Sequence, residues 1–130
     1  MTKDYLKEHI DKLAEADQLK DELDSLYIML KSPAITGMPS AHPADKDKIG
    51  SVVAKIEEKE ARYLGKLNVI YDEEKEIEKA IESLKDARER TVMRYRYISG
   101  LKWEEICVKA HYSWQHIHGL HADALKKLSK

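Results

Sequence analysis

Leu6, Ile10, Leu13, Ala16, Leu19, Leu23, Leu26 and Leu30 follow one another at steps of three or four. That spacing lines one stripe of a helix, with Asp, Glu and Lys on the remaining faces. Residues 4–31 hold no Gly or Pro, so the stripe predicts one helix roughly 40 Å long at about 1.5 Å per residue. The pattern stops at "SPAITGMPSAHP", where Pro33, Gly37, Pro39 and Pro43 fall together. Proline cannot continue a helix interior, so residues 32–44 read as a connecting loop. A seven-residue repeat then begins. Ile49, Ile56, Tyr63, Ile70, Ile77 and Leu84 form one column, and Val53, Glu60, Leu67, Glu74 and Ile81 sit four residues after its first five members. Such a repeat keeps one seam turned to a partner helix. Glu60 and Glu74 are costly in a dry seam, which predicts a partly wet one with Lys partners for these acids. The second helix spans roughly 60 Å from Asp45 to about Lys85.

The simplest arrangement is a long antiparallel helical hairpin, a coiled coil, over residues 1–85. The second helix is the longer, so its apolar end from Ile70 to Leu84 needs cover from the C-terminal region or from a second chain. The expectation is a homodimer.

Asp86 and Glu89 form an Asp-x-x-Glu pair, a capping pattern that starts a new helix, and a domain of residues 86–130 follows with three short helices. The first covers about 87–98 with Val92, Met93, Tyr97 and Ile98 inward, and Ser99-Gly100 ends it, Gly suiting a left-handed C-cap. The second begins near Lys102 and runs to about Lys109, with Glu104 and Glu105 in the first turn, where the helix dipole favours acids. The third starts at Ser113, a good N-cap, and ends near Leu128. The last two fit a helix-turn-helix held by Ile106, Ala110, Tyr112, Ile117 and Leu120, with Cys107 as a small residue at their crossing.

Composition supports this all-α reading. Ala, Glu, Lys, Leu and Arg fill 62 of 130 positions and Phe is absent, a bias of long helices rather than sheets. The single cysteine, Cys107, excludes an intramolecular disulfide and a Cys-rich zinc site. The charged N-terminal stretch "MTKDYLKEHIDKL" is neither a signal peptide nor a membrane span, so no membrane partner is expected and the location expected is the cytoplasm. The net charge of −1 hides an asymmetry: residues 90–130 carry eight Lys/Arg against three acids. A basic tail behind an acidic front hints at nucleic acid.

Four of six histidines, His111, His116, His118 and His121, crowd into residues 111–121. At about 100° per residue, Ile117, Leu120, Ala124 and Leu128 share the inner face of the third helix, while Gln115, His118, Gly119 and Ala122 point outward. Trp114 and His121 lie at one edge and His116 at the other. Only His118 and His121 can converge, whereas zinc needs three or four donors. No nucleophile–base pair or phosphate loop is present. No metal, no cofactor and no catalytic residue is therefore expected, and the chain reads as a non-enzyme.

The segment "YISGLKWEEICVKAHYSWQHIHGLHADALKKL" resembles region 4 of bacterial sigma factors and lies on that motif without a gap. The whole chain resembles small phage and prophage proteins with a coiled-coil front and this tail, the ArpU-like late transcription regulators. The resemblance implies a regulator in the host cell that binds duplex DNA. It implies base reading by Trp114, Gln115, His118 and Gly119, and phosphate contacts by Arg94, Arg96, Lys102, Ser113, Lys126 and Lys127. The turn glycine of the motif is His111 here, which would need a left-handed backbone. Where the family carries Arg and Glu, this chain has Trp114, Gln115, His116, His118 and Gly119. That departure motivates an alternative: a protein-interaction module whose tail binds RNA polymerase or another host protein.

Overall fold

The computed structural model describes residues 1–31 and 43–129, with side chains described from residue 47 onward in the second segment. Among them are five helices and no strand: α1 (Lys3–Leu30), α2 (Pro43–Glu82), α3 (Ala87–Tyr97), α4 (Trp103–Ala110) and α5 (Trp114–Leu128). The connector expected at 32–44 lies outside the described residues, except that α2 already begins at Pro43, where a missing N–H is harmless to a first helical turn. No described helix is long and apolar enough to cross a membrane.

The chain divides into two compact units, Ala14–Asn68 and the combination of Met1–Leu13 with Val69–Lys130. In the first unit α1 and α2 run antiparallel. Glu15 pairs with Lys66 at 3.0 Å, Glu22 with Lys59 at 2.9 Å, and Tyr27 donates to the Glu60 carboxylate. Its core is thin: Leu23, Val52 and Ile56, flanked by Leu26, Leu30 and Tyr63. Glu60 finds a tyrosine rather than the expected lysine. The buried partner of Ile56 is Val52, one residue ahead of the expected Val53, which is only half-buried.

The second unit holds the main core. Leu6 of α1 and Ile77, Ile81 and Leu84 from α2 and its end pack with Met93, Tyr97, Ala124 and Leu128. Of the expected heptad column, Ile56, Ile70, Ile77 and Leu84 are buried, and Ile49 and Tyr63 are half-buried. The apolar end of α2 is thus covered by the chain's own C-terminal helices. The argument that it needs a second copy loses its basis. For the same reason these residues do not divide at 85: the last turns of α2 and the start of α1 share one core with α3 and α5.

The joint at Asp86 is present, and α2 stops at Glu82, four residues before it. Asp86 caps α3 by accepting from the Arg88 N–H at 2.8 Å. The Arg88 side chain and that amide hold the Asp86 carboxyl down to about 2. Arg90 donates to the Leu84 carbonyl at 2.7 Å and satisfies an acceptor left open by the break. Glu89 does not complete the capping pattern. It turns inward, 2% exposed, and accepts from Lys127 Nζ at 2.6 and 2.9 Å.

Gly100 takes the left-handed conformation (φ 70°) after α3, and the Leu101 N–H returns to the Tyr95 carbonyl at 3.0 Å.

Candidate nucleic-acid interface

The α4–α5 pair is joined by three residues. His111 closes α4 in the left-handed region (φ 57°, ψ 39°), the conformation expected of it. A non-Gly residue there is strained, and short polar or imidazole side chains tolerate it best. Ser113 caps α5, its hydroxyl accepting from the His116 N–H at 3.1 Å. At the start of α4, Lys102 has no side-chain acceptor to offer. Glu105 reaches back instead and accepts from the Lys102 backbone N–H at 3.1 Å. Val92 of α3, Ile106 of α4 and Ile117 and Leu120 of α5 make the buried contact, with Tyr95, Leu101, Trp103, Cys107 and Tyr112 around them. Cys107 is a half-buried packing residue there.

All four residues expected inside on α5 (Ile117, Leu120, Ala124 and Leu128) are buried. Gln115, His116, Gly119 and Ala122 are exposed, and Trp114 is 51% exposed. The first turn of α5 therefore stands open to solvent. On α4, Val108 is 74% exposed, an apolar surface residue that periodicity alone does not single out.

His118 departs from its expected outward position. Its ring lies between Trp103 and Trp114, with ring centres 4.8 and 4.4 Å away. Nε2 is buried without a hydrogen-bond partner among the described residues, so this nitrogen is not presented to a base edge. Trp103 also meets His121 edge-on at 4.7 Å, and the Arg96 guanidinium lies over the Trp103 ring at 4.7 Å. Arg96, Trp103, His118 and Trp114 thus form a continuous run of tilted ring contacts that ends at the open edge. Tyr112 and His116 meet separately as a tilted pair, with ring centres 4.7 Å apart.

Beside these rings the Tyr97 hydroxyl meets His121 Nε2 at 2.6 Å. Burial pushes His121 down to about 4, helped by His118, Arg96 and Lys3, and burial pushes the Tyr97 phenol up to about 12. The phenol therefore keeps its proton and the imidazole stays neutral. The phenol donates, Nε2 accepts, and Nδ1 holds the ring hydrogen.

The expected phosphate-contacting residues divide into three groups. Arg94 is held by Glu78 (Nε to Oε1, 2.9 Å) and by Glu82. Lys127 is held by Glu89. Arg96 donates to the Leu101 carbonyl at 3.0 Å while stacked on Trp103, and the Ser113 hydroxyl is engaged in the cap. Lys102 and Lys126 are exposed. Arg94 and Lys127 thus lie on faces where carboxylates of this chain already meet their charge. Sequence spacing could not show that, because Glu78, Glu82 and Glu89 come from distant turns or turn inward.

Two residues outside this edge were not anticipated. His9 is fully buried, and Glu73 faces it at 2.8 Å. The signal existed: His9 stands three residues after Leu6 and four before Leu13, inside the apolar stripe. Among the described residues no three His, Cys, Asp or Glu side chains gather as a metal site. No protein-family model, curated protein or solved structure matches this chain.

Proposed function

We propose that this protein is a phage-type transcription regulator. In this reading α4, the His111–Ser113 turn and α5 act as a sigma-region-4-like helix-turn-helix on duplex DNA. The observation that carries it is the open face at the start of α5, where Trp114, Gln115 and Gly119 are exposed while Ile117, Leu120 and Ala124 of the same helix are buried. A recognition helix presents its N-terminal residues to the major groove. In this reading Gln115 bonds an adenine edge through two contacts, and Trp114 packs on a thymine methyl or a sugar. Of the expected set, Lys102 and Lys126 are exposed outside any ion pair among the described residues, and Arg96, half-buried on Trp103, is the third candidate for a phosphate.

Of the expected phosphate set only these three cations stand outside ion pairs with carboxylates among the described residues, so the salt dependence should be shallow. About two to three neutralised phosphates give a log–log slope of about −2 to −3. Titration of duplex phage promoter DNA at several salt concentrations, followed by anisotropy, tests the reading. Absence of binding to every duplex at low salt overturns it.

A specific observation favours a second reading. Trp114 on α5 and Val108 on α4 each expose apolar surface, which suits a protein partner such as RNA polymerase. Capture of polymerase from host extract by wild type, lost in Trp114→Ala, with no DNA binding, would select it.

A further inference from the structure

His9 has no exposed surface, and both its ring nitrogens have close partners. Nδ1 lies 2.8 Å from Glu73 Oε1, and Nε2 lies 3.0 Å from the Tyr97 main-chain oxygen. A carbonyl oxygen only accepts, so Nε2 must donate. A carboxylate oxygen also only accepts. Burial pushes the Glu73 carboxyl up, but hydrogen bonds from Lys12 and His9 outweigh it and hold the group below the ordinary carboxylate range. Glu73 is therefore an anion, and Nδ1 must donate as well. Only the imidazolium form satisfies both contacts.

The surroundings favour that form. Tyr97 is the last residue of α3, and its carbonyl is one of the acceptors a helix end leaves without an intrahelical partner. A cation at a helix C-terminus is favoured by the dipole. Titratable groups beside this pair include Lys12, Tyr5 and Glu8 on α1 and Glu76 on α2. Lys12 bonds the second oxygen of Glu73, and Tyr5 donates to Glu76 at 3.0 Å.

We propose that His9 is a proton-dependent clamp: while its ring carries both N–H groups it ties the end of α3 to α1 and α2, and when it loses one proton it releases that end. A neutral ring can keep one hydrogen bond. At the other contact a lone pair then faces an oxygen, and the attraction becomes repulsion in a buried place. The segment Ile98–Leu101, which leads from α3 into α4, is the part set loose. The inference does not depend on the DNA reading.

The test uses the full-length protein. Side-chain ¹⁵N spectra of His9 should show two protonated nitrogens near neutral pH. Between about pH 6 and about pH 9, amide exchange at Leu101, corrected for base catalysis, should lose about tenfold or more of its protection. His9→Gln cannot titrate and should show no such pH-linked loss. Glu73→Gln keeps the ring but removes the anion, so its His9 should lose the proton at lower pH than in wild type. This second variant serves also if His9→Gln fails to fold. A ring with a single proton at neutral pH, the same pH-linked loss in His9→Gln, or an unchanged His9 titration in Glu73→Gln each overturns the clamp.

Discussion

The Tyr97 hydroxyl donates to His121 Nε2 across 2.6 Å, and this bond holds a neutral imidazole beneath the α4–α5 pair. It has a consequence in acid. Burial pushes His121 from its ordinary 6.5 to about 4. As pH falls through about 6.5 the unfolded ring takes up a proton and the folded ring does not, so unfolding is favoured. Stability should fall progressively between about pH 6.5 and about pH 4 and gain no further slope from this group below that. His121→Gln still offers the phenol an acceptor and cannot be protonated. Urea unfolding across this range should show a weaker acid dependence in His121→Gln than in wild type. Equal slopes would remove His121 as the cause.

Much of this arrangement was legible in the sequence, for a physical reason. The stripe from Leu6 to Leu30, the joint at Asp86 and the four inward residues of α5 are dictated by local periodicity and capping. The left-handed turn at His111 followed from the motif's turn position. What was illegible depends on contacts between distant segments. Ile77 and Leu84 meet Met93 and Leu128, so the apolar end of α2 is covered from within. Arg94 meets Glu78 and Glu82, and Lys127 meets Glu89, which pairs two cations of the expected DNA set with acids of this chain. His118 was placed outward by its angle on α5. Two indoles, one from α4, draw it in, and no helical wheel contains that information.

Trp114 separates binding from stability. Its ring is about half exposed and touches His118 at 4.4 Å. Trp114→Ala should lower stability by about 0.5–1.5 kcal/mol, the scale of one aromatic contact. Either proposed partner, DNA or protein, should bind at least about tenfold less tightly, since an exposed aromatic anchor is a common binding hot spot. Denaturation and titration on the same sample check both. Full binding by the alanine variant would place the interface elsewhere.

Glu89 and Lys127 form an asymmetric pair, with the carboxylate 2% exposed and the amine at the surface. Removing the amine strands a buried anion, which is the costly way to break such a pair. Lys127→Ala should therefore destabilise clearly more than Lys126→Ala, although the two lysines are neighbours on an exposed face. The midpoints of urea unfolding report the difference. Equal midpoints would mean that water reaches Glu89.

Ile77 is fully buried in the main core with Leu6, Ile81, Met93 and Tyr97. Ile77→Ala should cost about 2–5 kcal/mol, the range for emptying an isoleucine site in a packed interior. Loss of less than about 1 kcal/mol would show that this core can collapse around the gap.

Three glycines should answer substitution in three ways. Gly65 lies inside α2, and an added Cβ would meet nothing within 4 Å. Gly65→Ala should stabilise by about 0.5–1 kcal/mol through helix propensity alone. Gly100 has φ +70°, and its added Cβ would touch a Leu13 methyl at an ordinary 3.6 Å. The penalty there is backbone strain rather than a clash, so Gly100→Ala should destabilise by about 1–2 kcal/mol. Gly119 resembles Gly65 in having open space around it, so Gly119→Ala should also stabilise the isolated protein, by about 0.5–1 kcal/mol. Its position on the exposed face of α5, however, is where the proposed DNA approaches. There the extra methyl should weaken binding while it raises the unfolding midpoint. A Gly119→Ala protein that is both more stable and equally tight on DNA would show that the groove does not close on this face of α5.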